Sequence, residues 1–306
     1  MNKNNGRPVL ALAFILAGTS PVAGRLLAGE LEPFTLAAAG LGLLLAAALP
    51  LRAGAFLHTA RRLRAADWRM LVMQALLGIV LFRALLFLGL QSTGAAEAGI
   101  LTGAAPAITA LLAWLFLREQ LTARRIVGIA AAAAGIALLQ GAGLQPGGIS
   151  LQHLAGNAFV LAAAASEATF NILARKYGAG SLEGLRPGIQ ALLVAAMAFL
   201  LCLLPASLEH PVRSLQVLGA EEWAALAWYG WIVTWLSFTL FYAGVRRCDA
   251  YTVAAFSGLL PLTSMILSAL LLGERVNVYQ WTGGAVVMAG IGMLGALPGT
   301  RQSRPR

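Results

Sequence analysis

Residues 89–139 read GLQSTGAAEAGILTGAAPAITALLAWLFLREQLTARRIVGIAAAAAGIALL, and residues 244–294 read GVRRCDAYTVAAFSGLLPLTSMILSALLLGERVNVYQWTGGAVVMAGIGML. The second stretch follows the first by 155 positions without a gap. That shift carries Gly89 onto Gly244, Ala95 onto Ala250, Gly103 onto Gly258, Pro106 onto Pro261 and Glu119 onto Glu274. It also carries Gly128 onto Gly283 and Gly135 onto Gly290. Each copy holds two apolar runs of about 20 residues, the length that crosses a bilayer. A Glu beside Arg118 or Arg275 separates the runs. A repeated set of membrane spans is a mark of transporter architecture.

Composition agrees with a membrane protein. Of 306 residues 59% are hydrophobic and 11% charged, with mean hydropathy +0.78. A soluble fold of this size cannot hide so much apolar surface, so lipid must solvate it. In a soluble protein the net charge of +10 would point to nucleic acid. Here the placement of the charge supplies the reason instead, and no nucleic-acid partner is expected. Cys202 and Cys248 stand far apart, outside any paired motif, so neither a disulfide framework nor a metal site is expected. His58, His153 and His210 fall in predicted loops, and no cofactor is expected.

The predicted fold is all-α and polytopic, with ten transmembrane helices. A basic leader (1–8) precedes spans at about 9–28, 33–51, 70–90, 95–117 and 122–140. An uncharged Gly/Gln/Pro linker (141–154) separates these from spans at about 155–174, 185–205, 222–245, 250–272 and 278–297, and a basic tail (298–306) closes the chain. A basic loop carrying Arg52, Arg61, Arg62, Arg64 and Arg69 is expected between the second and third spans. With a cytoplasmic N terminus, 18 of the 22 Lys and Arg residues fall inside. Arg213 and Arg275 fall outside, and Arg25 and Arg83 lie within spans, a bias that satisfies the positive-inside rule. Both termini are therefore expected in the cytoplasm. Five spans per half is an odd number, so the second half enters the membrane upside down. Inverted repeats of this kind hold a solute between the halves, around a central cavity near mid-bilayer.

The pattern carries a family resemblance. A ten-span chain with Pro106 or Pro261 in the fourth span of each half, the endings LFLRE (115–119) and LLLGE (270–274), and a Gly-rich span after each resembles the EamA branch of the drug/metabolite transporter superfamily. The resemblance covers about residues 9–297 and implies a bacterial inner-membrane exporter of amino acids and related metabolites. Many members carry an Arg early in the second span, whereas this stretch reads PFTLAAAGLGLLL (33–45), with Gly40 in that place. Any role of that Arg is therefore not carried over.

Several residues are candidates to face a solute. Trp228, Trp231, Trp235, Phe238 and Tyr242 fall on one face of a regular helix in the eighth span. That face either packs against neighbours and lipid or walls a cavity. The repeat favours the cavity, because the shift puts Phe238 on Arg83 and Tyr242 on Phe87. An Arg in hydrocarbon costs roughly 2.5–3.5 kcal/mol on insertion scales, so that face avoids lipid. Arg83 is placed to hold a substrate carboxylate or to pair with Glu97. Arg25, near a span end, is expected to snorkel to the headgroups. Glu167 serves either a structural hydrogen bond or a proton-coupling or ammonium-binding role. Ser166 and Asn171 share its neighbourhood, and Thr19 and Ser20 occupy the comparable region of the first span.

Pro106 and Pro261 break the backbone ladder mid-span and are candidate hinges. Glu119 and Glu274 are expected to cap the N-termini of the fifth and tenth spans. The small-residue faces of Gly128/Gly135 and Gly283/Gly290 suit close helix contact within the chain or across a homodimer, leaving monomer and dimer both open.

The reading that results is a secondary transporter, not driven by ATP, that exports amino acids by alternating access, aromatic or neutral ones among them. Quaternary amines, nucleosides and drugs are alternative solutes. A channel or sensor is a further alternative. A membrane enzyme would need a nucleophile–base pair or a metal cluster in the spans, and neither is evident there.

Overall fold

In the computed structural model, residues 6–27, 30–92, 101–120, 122–139, 154–178, 184–271, 273 and 276–295 are described, and every regular element among them is helical. Among the described residues, seven helices are long and apolar enough to cross a bilayer. These are α1 (Gly6–Gly24), α2 (Pro33–Arg62), α3 (Ala65–Gly89), α6 (Leu154–Gly178), α7 (Pro187–Ser207), α8 (Ala220–Val245) and α9 (Ala250–Leu271). Further helices among the described residues are α4 (Ala105–Leu117), α5 (Ala123–Leu139) and α10 (Val278–Gly295), with a short one at Pro211–Gln216.

Local chemistry sets the ends of these helices. Pro33 and Pro187 open α2 and α7, where a missing N–H costs nothing. The Asp249 side chain caps α9 by accepting the Thr252 N–H at 2.8 Å. Asn277 and Gln280 form a reciprocal box at the start of α10, each side chain accepting the other's backbone N–H, at 2.9 and 3.0 Å. Arg118, in the left-handed region at φ 52°, terminates α4.

The irregularities of the helices repeat with the sequence. α3 contains a π-helical segment at Leu76–Leu81, and α8 contains one at Tyr229–Leu236. The 155-position shift places the first on 231–236, inside the second. Helical geometry also lapses at Gly103–Ala104 ahead of Pro106, and at Ser257–Gly258 ahead of Pro261. Each proline sits in the first turn of a restarted helix, so the backbone break lies just before it.

Packing pairs the halves reciprocally. α2 lies against α7, α4 against α9 and α5 against α10. α1 packs on α8 as α6 packs on α3. A reciprocal close approach joins α5 to α10. A Cβ added at Gly135 would stand 2.7 Å from the Gly283 carbonyl oxygen, and one at Gly290 would stand 2.7 Å from that of Gly128. The two glycine faces therefore meet inside one chain, which uses the small residues that a dimer seam would need.

The ends of the spans differ from the expected loops. The basic stretch after the second span is helical apart from Leu63–Arg64, because α2 runs on to Arg62 and α3 begins at Ala65. At 1.5 Å per residue, the 30 residues of α2 reach roughly 45 Å, more than a hydrocarbon core requires. His58 consequently lies within α2 rather than in a loop.

Candidate functional site

A cavity of about 380 Å³ lies between the two halves. Gly78, Ile79, Phe82, Arg83 and Leu86 of α3 line it. The repeat shift carries these onto Val233, Thr234, Ser237, Phe238 and Phe241 of α8, and all of those line it too. Thr102, Ala105 and Pro106 at the start of α4 map likewise onto Ser257, Leu260 and Pro261, again all lining. The wall is thus two-fold in its residue positions, though not in its chemistry.

The chemistry is polar at a few points. Arg83 donates through Nη2 to the Tyr229 hydroxyl, and its guanidinium carbon lies 5.1 Å from the centroid of that ring. Glu167 and Asn171 of α6 also line the cavity. Among the described residues, neither side chain has a hydrogen-bond or ionic partner, so both are available to a solute. The remaining surface is aromatic. Phe170 stacks on Phe241 at 5.4 Å between centroids, and Phe14 and Phe238 pack beside them. Gly78 admits Phe170, whose ring carbon would stand 2.7 Å from an added Cβ. Gly40, at the place where the resemblance would put an Arg, backs onto the Tyr229 ring, 3.3 Å from where its Cβ would be. Tyr229 leaves little room for a long side chain there, and the cation beside it is Arg83.

Of the residues singled out from sequence, Ser20, Arg83, Glu167, Asn171, Phe238, Pro106 and Pro261 share this cavity. Thr19, Phe87, Ser166, Trp231, Trp235 and Tyr242 do not line it. Thr19 accepts from Trp228 Nε1 at 3.0 Å and donates to the Leu16 carbonyl. Ser166 donates to the Leu77 carbonyl at 2.8 Å, satisfying an acceptor in the π segment of α3. Trp235 donates to the Gly188 carbonyl and lies under Arg52, 5.1 Å from its guanidinium carbon. Trp231 packs edge-on against Trp235, and Tyr242 is wholly buried. Glu97 and the side chain of Arg25 lie outside the described residues.

The π segment explains the displaced face. Its wider turn takes up extra residues, so a face extrapolated at 3.6 residues per turn slips out of register. Tyr229, Val233, Ser237 and Phe241 turn inward in place of Trp231, Trp235 and Tyr242. The repeat shift held the missing signal. Applied to the neighbours of Arg83, it points to Ser237 and Phe241 directly.

Residues 6–140 and 154–296 each match the EamA-like transporter family, so the two matches cover most of the chain. The chain belongs to the EamA-like transporter family. It is 31% identical over 289 residues to the uncharacterized transporter YetK of Bacillus subtilis, spanning 92% of this chain and 84% of that one. It is 32% identical over 190 residues to a probable amino-acid metabolite efflux pump of Salmonella typhimurium, spanning 60% of each. A solved crystal structure superposes with a TM-score of 0.74 at 19% identity, over 95% of this chain and 96% of that one, a likeness of fold. A membrane-spanning transporter of this family takes a small-molecule substrate and works within a lipid bilayer.

In this EamA-like transporter a polar junction ties the halves together at the end of the bundle where α4 stops and α9 begins. Arg125 Nη2 donates to Asp249 Oδ2 at 3.1 Å, Arg125 Nη1 donates to the Gln120 carbonyl at 2.6 Å, and the guanidinium lies over the Tyr251 ring. Tyr251 donates its hydroxyl to the Glu119 carbonyl at 2.9 Å. The Glu119 carboxylate accepts from the Ala250 N–H at 3.2 Å. Glu119 therefore caps α9 of the opposite half rather than the helix that follows it, because the left-handed turn at Arg118 redirects the chain. Glu274 lies outside the described residues. Burial, and after it the charge of Asp249, raises the Glu119 carboxyl above the usual carboxylate range.

Proposed function

We propose that this protein is a secondary transporter that exports amino acids or related small metabolites from bacteria by alternating access. In this reading ten spans form two five-helix repeats of opposite orientation, related by a two-fold axis in the plane of the inner membrane. Both termini are cytoplasmic. What supports the inversion is the reciprocity of packing: Gly135 approaches Gly283 as Gly290 approaches Gly128. What supports the orientation is the bias of Lys and Arg toward one set of loops.

The single observation that carries the transport reading is the cavity on that axis, with a free carboxylate on one side and a guanidinium on another. A zwitterion suits it. Arg83, oriented by Tyr229, holds the substrate carboxylate, Glu167 with Asn171 holds the ammonium, and the Phe14, Phe170, Phe238 and Phe241 rings hold an apolar or aromatic side chain. A volume of about 380 Å³ fits a small metabolite. The backbone breaks ahead of Pro106 and Pro261 serve as hinges through which the two ends open in turn.

Counterflow in proteoliposomes with a panel of labelled amino acids, quaternary amines and nucleosides tests this. Accelerated exchange of amino acids is expected. Arg83→Ala is expected to weaken apparent affinity roughly 10- to 150-fold, the range for a lost hydrogen bond to a charged group. Exchange confined to non-amino-acid solutes would overturn the substrate class, and full activity in Arg83→Ala would overturn the site.

A further inference from the structure

The molecule has a second cavity, larger than the first and far more basic. It measures about 800 Å³ and lies among the last turns of α2, the start of α3 and the start of α7. Arg62, Arg64, Arg186 and His58 line it, with Asp67 as its acid. Asp67 is already engaged, since its Oδ2 accepts the Arg64 backbone N–H at 3.0 Å. Among the described residues, the guanidinium groups of Arg62, Arg64 and Arg186 have no ionic or hydrogen-bonded partner. Three unneutralised arginines converging on a concave surface make a receptor for an anion that accepts several hydrogen bonds at once.

The level of the cavity identifies the anion. From Pro33, about 20 residues of α2 cross the roughly 30 Å hydrocarbon core, bringing the helix to about Arg52. Gly54 and His58 follow within about 9 Å of that level, beside the headgroups, and Arg62 follows about 15 Å beyond it, from where its long side chain can reach back toward them. Leu51 is 80% exposed and Leu57 50% exposed on the same stretch, leaving apolar surface for acyl chains beside the arginines. We propose that this cavity binds the phosphodiester headgroup of an anionic membrane phospholipid. The basic stretches that orient the chain thus also build a lipid site between α2 and α7, helices from opposite halves. Seated there, the lipid bridges the two halves at one membrane face. The site is separate from the cavity at mid-bilayer and stands whether or not that cavity carries amino acids.

Gly54 and Gly184 offer a clean test. A Cβ built on either meets nothing within 4 Å, and Gly54 lines the cavity, so a large side chain there takes up its space without changing its charge. The full-length protein, purified in neutral detergent, would be titrated with short-chain phosphatidylglycerol, phosphatidylcholine and inorganic phosphate at constant ionic strength. Native mass spectrometry counts the bound molecules. Phosphatidylglycerol is expected to bind at least about tenfold more tightly than the other two. The double variant Arg62→Gln with Arg186→Gln is expected to lose roughly thirtyfold in that affinity. Gly54→Trp is expected to lose it to a similar degree while keeping every charge, so the test survives if the arginine variants fail to fold. Equal binding of the two lipids, or wild-type binding by Gly54→Trp, would overturn the site. Inorganic phosphate binding as tightly as phosphatidylglycerol would overturn the lipid as its occupant.

Discussion

Replacing Gly135 by Ala places a methyl group 2.7 Å from two backbone atoms of α10, the Gly283 oxygen and the Val287 nitrogen. Ordinary carbon contacts sit at about 3.5–4.0 Å, so the helices must part by roughly 1 Å. Overpacking of this kind costs about 1–3 kcal/mol, partly masked by the roughly 0.5–1 kcal/mol that Ala gains over Gly in a helix. Gly292→Ala isolates the second effect, because a Cβ there meets nothing within 4 Å. The difference between the two variants then reads the contact alone. At roughly 2–4 °C per kcal/mol, Gly135→Ala should melt about 2–12 °C below Gly292→Ala in detergent. Gly290→Ala should match Gly135→Ala, since its methyl meets the Gly128 oxygen at 2.7 Å and the Ala132 nitrogen at 2.9 Å. Combining the two should cost less than their sum, because one separation relieves both clashes. If Gly135→Ala and Gly290→Ala melt with Gly292→Ala, α5 and α10 do not meet backbone to backbone, and the reciprocal packing argument falls.

Other perturbations read the junction and the cavity. Asp249→Asn keeps an oxygen for the Thr252 N–H but removes the carboxylate charge facing Arg125, whose side chain is only 4% exposed. A loss of about 2 kcal/mol is expected, less than for a fully buried pair because water reaches Asp249, and a double-mutant cycle with Arg125→Gln should recover it as coupling. Glu119 carries a raised carboxyl pKa, so the folded state holds its proton more tightly than the unfolded chain. Its contribution to stability is therefore full below the ordinary value near 4.5 and falls as pH rises through the folded value. Glu119→Gln should flatten that decline in melting temperature above the ordinary carboxylate value, and an unchanged profile would refute the assignment. Glu167→Gln should flatten the pH dependence of flux in proteoliposomes, and an unaltered pH profile would return Glu167 to a structural role.

Much of this was legible in the residues. The repeat at 155 positions announced the two halves, and the cost of an Arg in hydrocarbon was enough to turn Arg83 inward. Glu167 and Asn171 followed from their depth in an otherwise apolar span. What escaped was what depends on local departures from ideal helix. The tryptophans of the eighth span satisfy a 3.6-residue period, but the π segment between Tyr229 and Leu236 rotates them away from the cavity. The sequence makes Ser166 a candidate solute contact, yet a carbonyl of the matching segment in α3 takes its hydrogen. Sequence order points Glu119 at the next helix, and a single left-handed residue sends it to a residue 131 positions away. The arginines after the second span suggest a loop because charge there says where the membrane ends, which is a different boundary from where the helix ends.

The wide turns in α3 and α8 have one more consequence. A π segment can hand its surplus residue to the adjoining turn without breaking the helix, and the residues it passes then rotate by about a hundred degrees. Both segments lie beside the cavity, so on the transport reading a shift of register in either helix would present different side chains to the solute.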